Sequence, residues 1–364
     1  MTIPFRSALK ALAPYPPGKP AAELQRELGL PRIVKLASNE NPWGPSPKAL
    51  AALQAALPEL HLYPESGCHV LRQTLSTRLG VPADHLLFGN GSDEIVGLLA
   101  AAFLEPGDNI VVSRPSFIKY EMGGQMMGAE IRRVPMVDWK HDCAGLAAAA
   151  DGRTKFIFVA NPDNPVGSAV DAAEIDALLA GAPKTSLVVL DEAYYEFAAA
   201  WADYPDGMAL AKAHENVVVM RTFSKAYGLA GLRVGYGVAR PWVWDAVDRI
   251  RPTFNVNSLA QVAAAAALDD AEHLARTVDG TTAGRAAMDA ALRGRGFEPV
   301  PSLANFLLVD FRRPAMALYE ALLREGVIVR PMGMYGLSSH LRISVGLPEE
   351  NDFFLAALDK VLGA

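Results

Sequence analysis

Seven short apolar runs punctuate the stretch from residue 86 to residue 238. They are Leu86–Phe88, Asn109–Val112, Glu130–Val134, Phe156–Val159, Leu187–Leu190, Val217–Met220 and Gly231–Val238. Helix-length segments such as Asp93–Leu104 and Ala172–Leu179 separate several of them. Strand, crossover helix and strand in repetition predict an α/β fold: a mostly parallel, seven-stranded sheet lying between helices. Ligands of such sheets gather outside the carboxyl ends of the strands. Chemistry is therefore expected just after each run.

The flanks read differently. Pro14, Pro16, Pro17, Pro20 and Gly18 argue against a regular helix near the start, so residues 1–30 are expected to form an extended arm. From about Asn257 an alanine-rich helical stretch continues to Arg293. Strands are expected near Asn305–Asp310, Gly326–Arg330 and Leu341–Val345. These features divide the chain into the arm, a large domain over 45–257, and a smaller α+β domain from 31–44 and 258–364, joined by a long helix over 258–293. Lys and Arg number 34 against 40 Asp and Glu, a net charge of −6 with no basic run. That excludes nucleic acid as the main partner. The apolar stretch near Val96–Leu104 is too short to span a bilayer, and Pro4 and nearby charges leave no visible secretory signal. Two cysteines, Cys68 and Cys143, fit a reducing cytoplasm, and the seven histidines never fall at metal-binding spacing.

Four strand ends carry chemistry. Gly89-Asn-Gly-Ser-Asp-Glu follows a strand and opens a helix, a natural anion site. It begins like a dinucleotide fingerprint, but Glu94 stands where the third glycine would be, and an ordinary helix cap has the same pattern. Asn161-Pro-Asp-Asn-Pro-Val-Gly is a turn that can hold Asn164 at the sheet edge. Asp191 ends a very apolar run, where a buried carboxylate calls for a positive partner such as a protonated ring nitrogen, or caps the next helix. Lys225 sits among small and hydroxyl residues in Thr222-Phe-Ser-Lys-Ala-Tyr-Gly-Leu-Ala-Gly-Leu-Arg-Val-Gly. A partly buried lysine there is a nucleophile able to form an imine, and Ser224 and Arg233 can bind an anion beside it.

These residues resemble the fold-type-I pyridoxal-phosphate aminotransferases. Pro14-Tyr-Pro-Pro-Gly-Lys-Pro, Ala37-Ser-Asn-Glu-Asn-Pro-Trp-Gly-Pro-Ser, Val329-Arg-Pro-Met-Gly and His340-Leu-Arg-Ile-Ser-Val-Gly narrow the likeness to the histidinol-phosphate aminotransferase family. The resemblance implies pyridoxal 5'-phosphate as cofactor, with Lys225 forming the internal aldimine and moving a proton. Asp191 would pair with the pyridinium nitrogen. Tyr194 and Asn164 would bond the phenolic oxygen, and Phe117 would stack on the ring. Gly91, Ser92, Asp93, Thr222, Ser224 and Arg233 would hold the phosphate, joined by Tyr63 from the partner subunit of a homodimer.

For substrate, the resemblance implies Arg342 and Arg330 as anion contacts, with Tyr15 closing over the side chain and Asn39 or Asn41 nearby. The implied activity is a cytoplasmic ping-pong transamination in histidine biosynthesis. Histidinol phosphate and 2-oxoglutarate would give imidazole-acetol phosphate and glutamate. An aromatic amino-acid aminotransferase and a threonine-phosphate decarboxylase are the rival enzymes. A transcription factor with an aminotransferase-like domain is excluded, because no basic helix-turn-helix precedes the first motif. The chain departs from the family at Phe117, where many relatives have Tyr, at Glu65 after Tyr63-Pro64, and at Met334, where many have glycine.

Overall fold

A computed structural model describes residues 3–12, 14 and 18–363. The twelve strands among the described residues are β1 (Val34–Lys35), β2 (Leu86–Gly89), β3 (Asn109–Arg114), β4 (Glu130–Pro135), β5 (Thr154–Ala160), β6 (Leu187–Asp191), β7 (Val217–Thr222), β8 (Gly235–Val238), β9 (Phe306–Asp310), β10 (Val327–Ile328), β11 (Arg330–Pro331) and β12 (His340–Ser344). Seven of them form one sheet in the order β2-β8-β7-β6-β5-β3-β4. Only β8 runs against its neighbours. This is the expected sheet. Its central strands β5 and β6 are hydrophobic at nearly every position because both faces are covered, whereas the edge strand β4 carries Glu130, Arg132 and Arg133 and is mostly unburied.

Alternation sends successive side chains to opposite faces. Phe158, Ala160, Val189, Val218 and Met220 pack with Ile95, Leu99 and Tyr120 from the helices Ser92–Phe103 and Ile118–Met127. Val159, Leu190, Val219 and Tyr236 pack on the other side with Leu71, Leu75, Ile175 and Ala263. A separate core joins Val34 and Leu36 to Leu307, Val309, Leu341, Ile343 and Phe354. It lies on an antiparallel sheet β11-β12-β9 and a short parallel pair β1-β10.

Four local expectations change. The first 30 residues hold a 3-10 turn, Ser7–Ala11, and an α-helix, Ala21–Leu28. The helix starts directly after Pro20 and stops at Gly29 in the left-handed region (φ 63°), so proline sets its beginning instead of forbidding it. The alanine-rich stretch is two helices, Ser258–Leu268 and Ala271–Gly294. Between them the Asp270 carboxylate accepts from the His273 N–H at 3.3 Å and from Ser46 Oγ at 2.7 Å. The run from Gly231 becomes strand only at Gly235, because a 3-10 turn, Ala230–Leu232, and Arg233 at φ 57° precede it. The run from Gly326 splits, with β10 pairing to β1 and β11 to β12.

Candidate active site

The carboxyl ends of β5, β6 and β7 surround a solvent-open cavity of about 630 Å³ lined by Lys225, Asp191, Tyr194, Asn164 and Phe117. Lys225 lies in the turn after β7. Its Nζ donates to the Ser38 carbonyl at 3.3 Å and stands 5.7 Å from the Tyr194 ring centre. Burial first, and then the Arg342 guanidinium, pushes the amine down to about 8. A substantial neutral fraction near physiological pH makes it the nucleophile of the site.

Asp191 is buried at the end of β6. Its Oδ2 accepts from the Tyr120 hydroxyl at 2.6 Å and its Oδ1 from the Ala193 N–H at 3.1 Å. Burial nonetheless pushes the carboxyl up to about 6, so a cation is still wanted there. Tyr194 accepts at its hydroxyl from Asn39 Nδ2 at 2.9 Å, and burial pushes its phenol up to about 12. Asn39 is thus the asparagine directed at the site, whereas Asn41 donates to the Ala226 carbonyl at 3.0 Å. Asn161 is spent on the turn itself, bonding Val170 twice at 3.0 Å. Phe117 meets Tyr120 edge-on at 5.6 Å.

One end of the cavity is built for an anion. Gly91 adopts φ 74°, ψ 169° and hands the chain to the helix Ser92–Phe103, whose first N–H groups lack intrahelical partners. A Cβ on Gly91 would lie 2.8 Å from Arg233 Nη2. Arg233 is exposed and, among the described residues, donates only long bonds, to the Ala230 and Asn90 carbonyls at 3.3 and 3.4 Å. Ser224 Oγ is buried with no hydrogen-bond partner among the described residues. Thr222 Oγ1 accepts from the Ser224 N–H at 3.1 Å. Asp93 also lines the cavity, and its carboxylate pairs with Lys119 at 3.3 Å. Glu94 accepts from the Asn90 N–H at 2.7 Å and so braces the turn ahead of the helix.

The arginines sit on the smaller sheet. Arg330 and Arg342 are direct partners across β11 and β12. Arg342 is buried, donates to Asn164 Oδ1 at 2.6 Å and to the Ala37 carbonyl at 2.9 Å, and leaves Nε without a partner among the described residues. Arg330 lines a second cavity of about 700 Å³ with Lys19, Tyr319 and Met334, its Nη2 3.6 Å from the Met334 sulfur. Tyr63 does not line the cavity of its own chain. It is 84% exposed and stacks on Phe254 at 5.0 Å. Tyr15 lies outside the described residues. Sequence reasoning missed Tyr120; its one signal is the three-residue spacing from Phe117, which brings both rings to the same face of a helix start.

A strand-end lysine, a buried carboxylate and an anion-binding helix start around one cavity define a transaminase-type site. The chain belongs to the class I and II aminotransferases, whose family model matches residues 31–358. It is 48% identical to histidinol-phosphate aminotransferase of Symbiobacterium thermophilum over 98% of both chains. It is 49% identical to histidinol-phosphate aminotransferase 2 of Pseudomonas fluorescens, over 97% of this chain and 96% of that one. The crystal structure of the Sinorhizobium meliloti histidinol-phosphate aminotransferase, solved with pyridoxal-5'-phosphate, superimposes with a TM-score of 0.91 at 32% identity, covering 99% of this chain and 97% of that one. Within the class, the histidinol-phosphate aminotransferases are thus its family.

Proposed function

We propose that this chain is a pyridoxal 5'-phosphate-dependent histidinol-phosphate transaminase. It moves the amino group of histidinol phosphate to 2-oxoglutarate, the two substrates using one site in turn. The cavity suits the cofactor: a buried carboxyl pushed up to about 6 awaits a protonated ring nitrogen, and an unpartnered Ser224 hydroxyl beside a helix start awaits a phosphate. When bound, pyridoxal 5'-phosphate supplies the reactive carbonyl and the electron sink.

The chain's residues do the rest. Lys225 would hold the cofactor through its amine and, from beside it, would take and return the proton at the substrate Cα. Asp191 keeps the ring nitrogen protonated. Tyr194 and Asn164 bond the phenolic oxygen, while Phe117 covers the ring face. Gly91, Ser92, Asp93, Thr222, Ser224 and Arg233 grip the phosphate. We read residues 45–257 as the cofactor unit, with 31–44 and 258–364 as the smaller unit that brings Arg330 and Arg342 to its mouth. No helix among the described residues is long and apolar enough to cross a membrane.

The observation that carries the substrate assignment is the pairing of Arg330 with Arg342. Like charges directly opposite on antiparallel strands repel, so this arrangement favours an anion between or beside them. A phosphate monoester and a dicarboxylate satisfy it in turn. The exposed apolar residues Leu57, Leu60, Leu62, Tyr63 and Val70 cluster in sequence. They support a homodimer in which Tyr63 reaches the partner's cofactor phosphate. Half-reaction spectroscopy on the holoenzyme tests the assignment with histidinol phosphate, phenylalanine and glutamate as separate amino donors. Histidinol phosphate and glutamate are expected to convert the cofactor absorbance. Conversion by phenylalanine and glutamate alone would make it an aromatic enzyme, and carbon dioxide release without a keto acid would make it a decarboxylase.

A further inference from the structure

Ala160, Asp191 and Met220 are register partners across β5, β6 and β7, where β5 and β6 end and β7 runs on two residues to Thr222. Because side chains alternate, Asp191 and Thr222 face the Lys225 cavity while their neighbours Glu192 and Arg221 face the opposite core. There Glu192 Oε2 accepts from Arg221 Nε at 2.8 Å and from Nη2 at 2.7 Å, and both side chains are buried. The guanidinium carbon lies 3.4 Å over the ring of Tyr195, the residue after Tyr194. Tyr195 meets Tyr204 at 5.7 Å, and the Tyr204 hydroxyl donates to the carbonyl of Asn161, which opens the turn carrying Asn164. The fold makes room for this assembly. A Cβ on Gly207 would stand 2.2 Å from Glu192 Oε1.

Each member therefore touches, or adjoins in the chain, an element that faces the cavity. Stability alone is a weak reason for such a pair, since desolvation offsets the attraction and apolar residues of similar size are often as stable. Direction is what apolar side chains cannot supply. A planar guanidinium held on one carboxylate oxygen and stacked on a ring fixes the mutual angle of the chain segments it joins.

We propose that Glu192 and Arg221, with Tyr195 and Tyr204, form a brace on the back of the sheet that positions Asp191, Tyr194, Asn164 and Thr222 toward the cofactor. The proposal rests on reading those four as cofactor contacts. They touch the cofactor; the brace acts only through them.

The test replaces the pair by methionines, E192M/R221M, in the full-length holoenzyme, with the exposed Glu215–Arg240 pair replaced likewise as control. Visible circular dichroism of the bound cofactor reports its orientation independently of turnover. The expected result is a cofactor-free protein that unfolds at or above the parent temperature, a cofactor dichroism band reduced at equal occupancy, and kcat lowered about 10- to 100-fold with KM little changed. The control keeps the parent band and rate. A parent-like band and kcat in E192M/R221M would overturn the proposal, and so would a double variant that fails to fold, because the pair would then be holding the fold together. Asp191→Asn is measured alongside: if it also leaves the band untouched, the reading of Asp191 as a cofactor contact is what fails.

Discussion

Replacing Gly235 by alanine should loosen the cofactor's phosphate more than it loosens the fold. A Cβ built at Gly235 meets the Ser92 main-chain nitrogen at 2.5 Å, the Gly91 carbonyl carbon at 2.8 Å and the Arg221 oxygen at 3.0 Å, all of them backbone. Ordinary contact begins near 3.4 Å, so the start of the helix Ser92–Phe103 must retreat by about 0.9 Å (3.4 minus 2.5). If Ser92 grips the phosphate as proposed, that retreat carries its N–H out of reach. One charge-assisted hydrogen bond is worth about 1.5–3 kcal/mol, so cofactor affinity should weaken on the order of 10- to 100-fold. Gly237, two residues on and facing the same side, is the control. Its Cβ would meet only side-chain atoms of Trp244, at 2.8 and 2.9 Å, among its close neighbours. Overpacking there should cost about 1–3 kcal/mol of stability and leave affinity alone. Absorbance titration of the cofactor-free proteins with pyridoxal 5'-phosphate, beside their denaturation curves, separates the two effects. A folded G235A that binds as tightly as the parent would refute the argument that Gly235 sets the distance between β8 and the phosphate cradle.

Three further outcomes follow from the same geometry. The rate at which cofactor-free protein captures pyridoxal 5'-phosphate covalently should rise with pH around a midpoint of about 8, since burial lowers the Lys225 amine to that range; stopped-flow absorbance across pH 6–10 (roughly spanning that value) reads it, and a midpoint at the ordinary lysine value would contradict the burial argument. Asp191 holds its proton more tightly folded than unfolded, so its contribution to the stability of cofactor-free protein is present below its ordinary 3.8 and lost as pH rises through about 6. The loss is about 3 kcal/mol, and chemical denaturation of the parent should show this extra slope while Asp191→Asn lacks it. Met334→Gly removes the sulfur beside Arg330 and the wall shared by the cavities of Arg330 and of Arg114; steady-state kinetics should show bulkier amino donors gaining in kcat/KM relative to histidinol phosphate, and an unchanged ranking would mean that Met334 does not bound the substrate.

The large sheet was legible because strands buried on both faces must be apolar nearly throughout, and such runs stand out against polar turns. Strand-end chemistry was legible for the same reason: Asp191 and Lys225 are conspicuous where an apolar run stops. Local endings were not. Pro20 can forbid a helix or begin one, and the choice at Ala21–Leu28 depends on packing such as that of buried Leu24. Alanine favours helix everywhere, which hid the break at Asp270, decided by a bond to Ser46 more than two hundred residues away. Asn39 and Asn41 are the same residue two positions apart, and only the positive φ of Asn39 (55°) and its reach to Tyr194 separate them. Tyr120 lies inside a helix, where no strand-end logic points.

Buried polar groups without partners are ordinarily removed by selection for stability, because each costs about 1–3 kcal/mol. Two such groups belong to this site, a Ser224 hydroxyl and an Arg342 Nε without partners among the described residues, and with them stands an Asp191 carboxyl that burial raises although both its oxygens accept hydrogen bonds. Each is a different chemical type, and together they are the complement of one kind of assembly: a cationic ring nitrogen, a phosphate, and an anionic substrate head. The adjacent acids Asp191 and Glu192 make the point most sharply. Both are buried at one strand end, yet Glu192 has a cation built in as Arg221 at Oε2, its Oε1 lacking a partner among the described residues, while both oxygens of Asp191 meet neutral donors, the Tyr120 hydroxyl and a main-chain N–H. An acid that the fold pairs with a cation acts in architecture, and a buried acid that meets neutral donors alone marks where a cationic ligand finishes the structure. By that criterion the net charge of −6 is no obstacle to a site for anions, because a few local donors, not the field of the whole molecule, decide what enters.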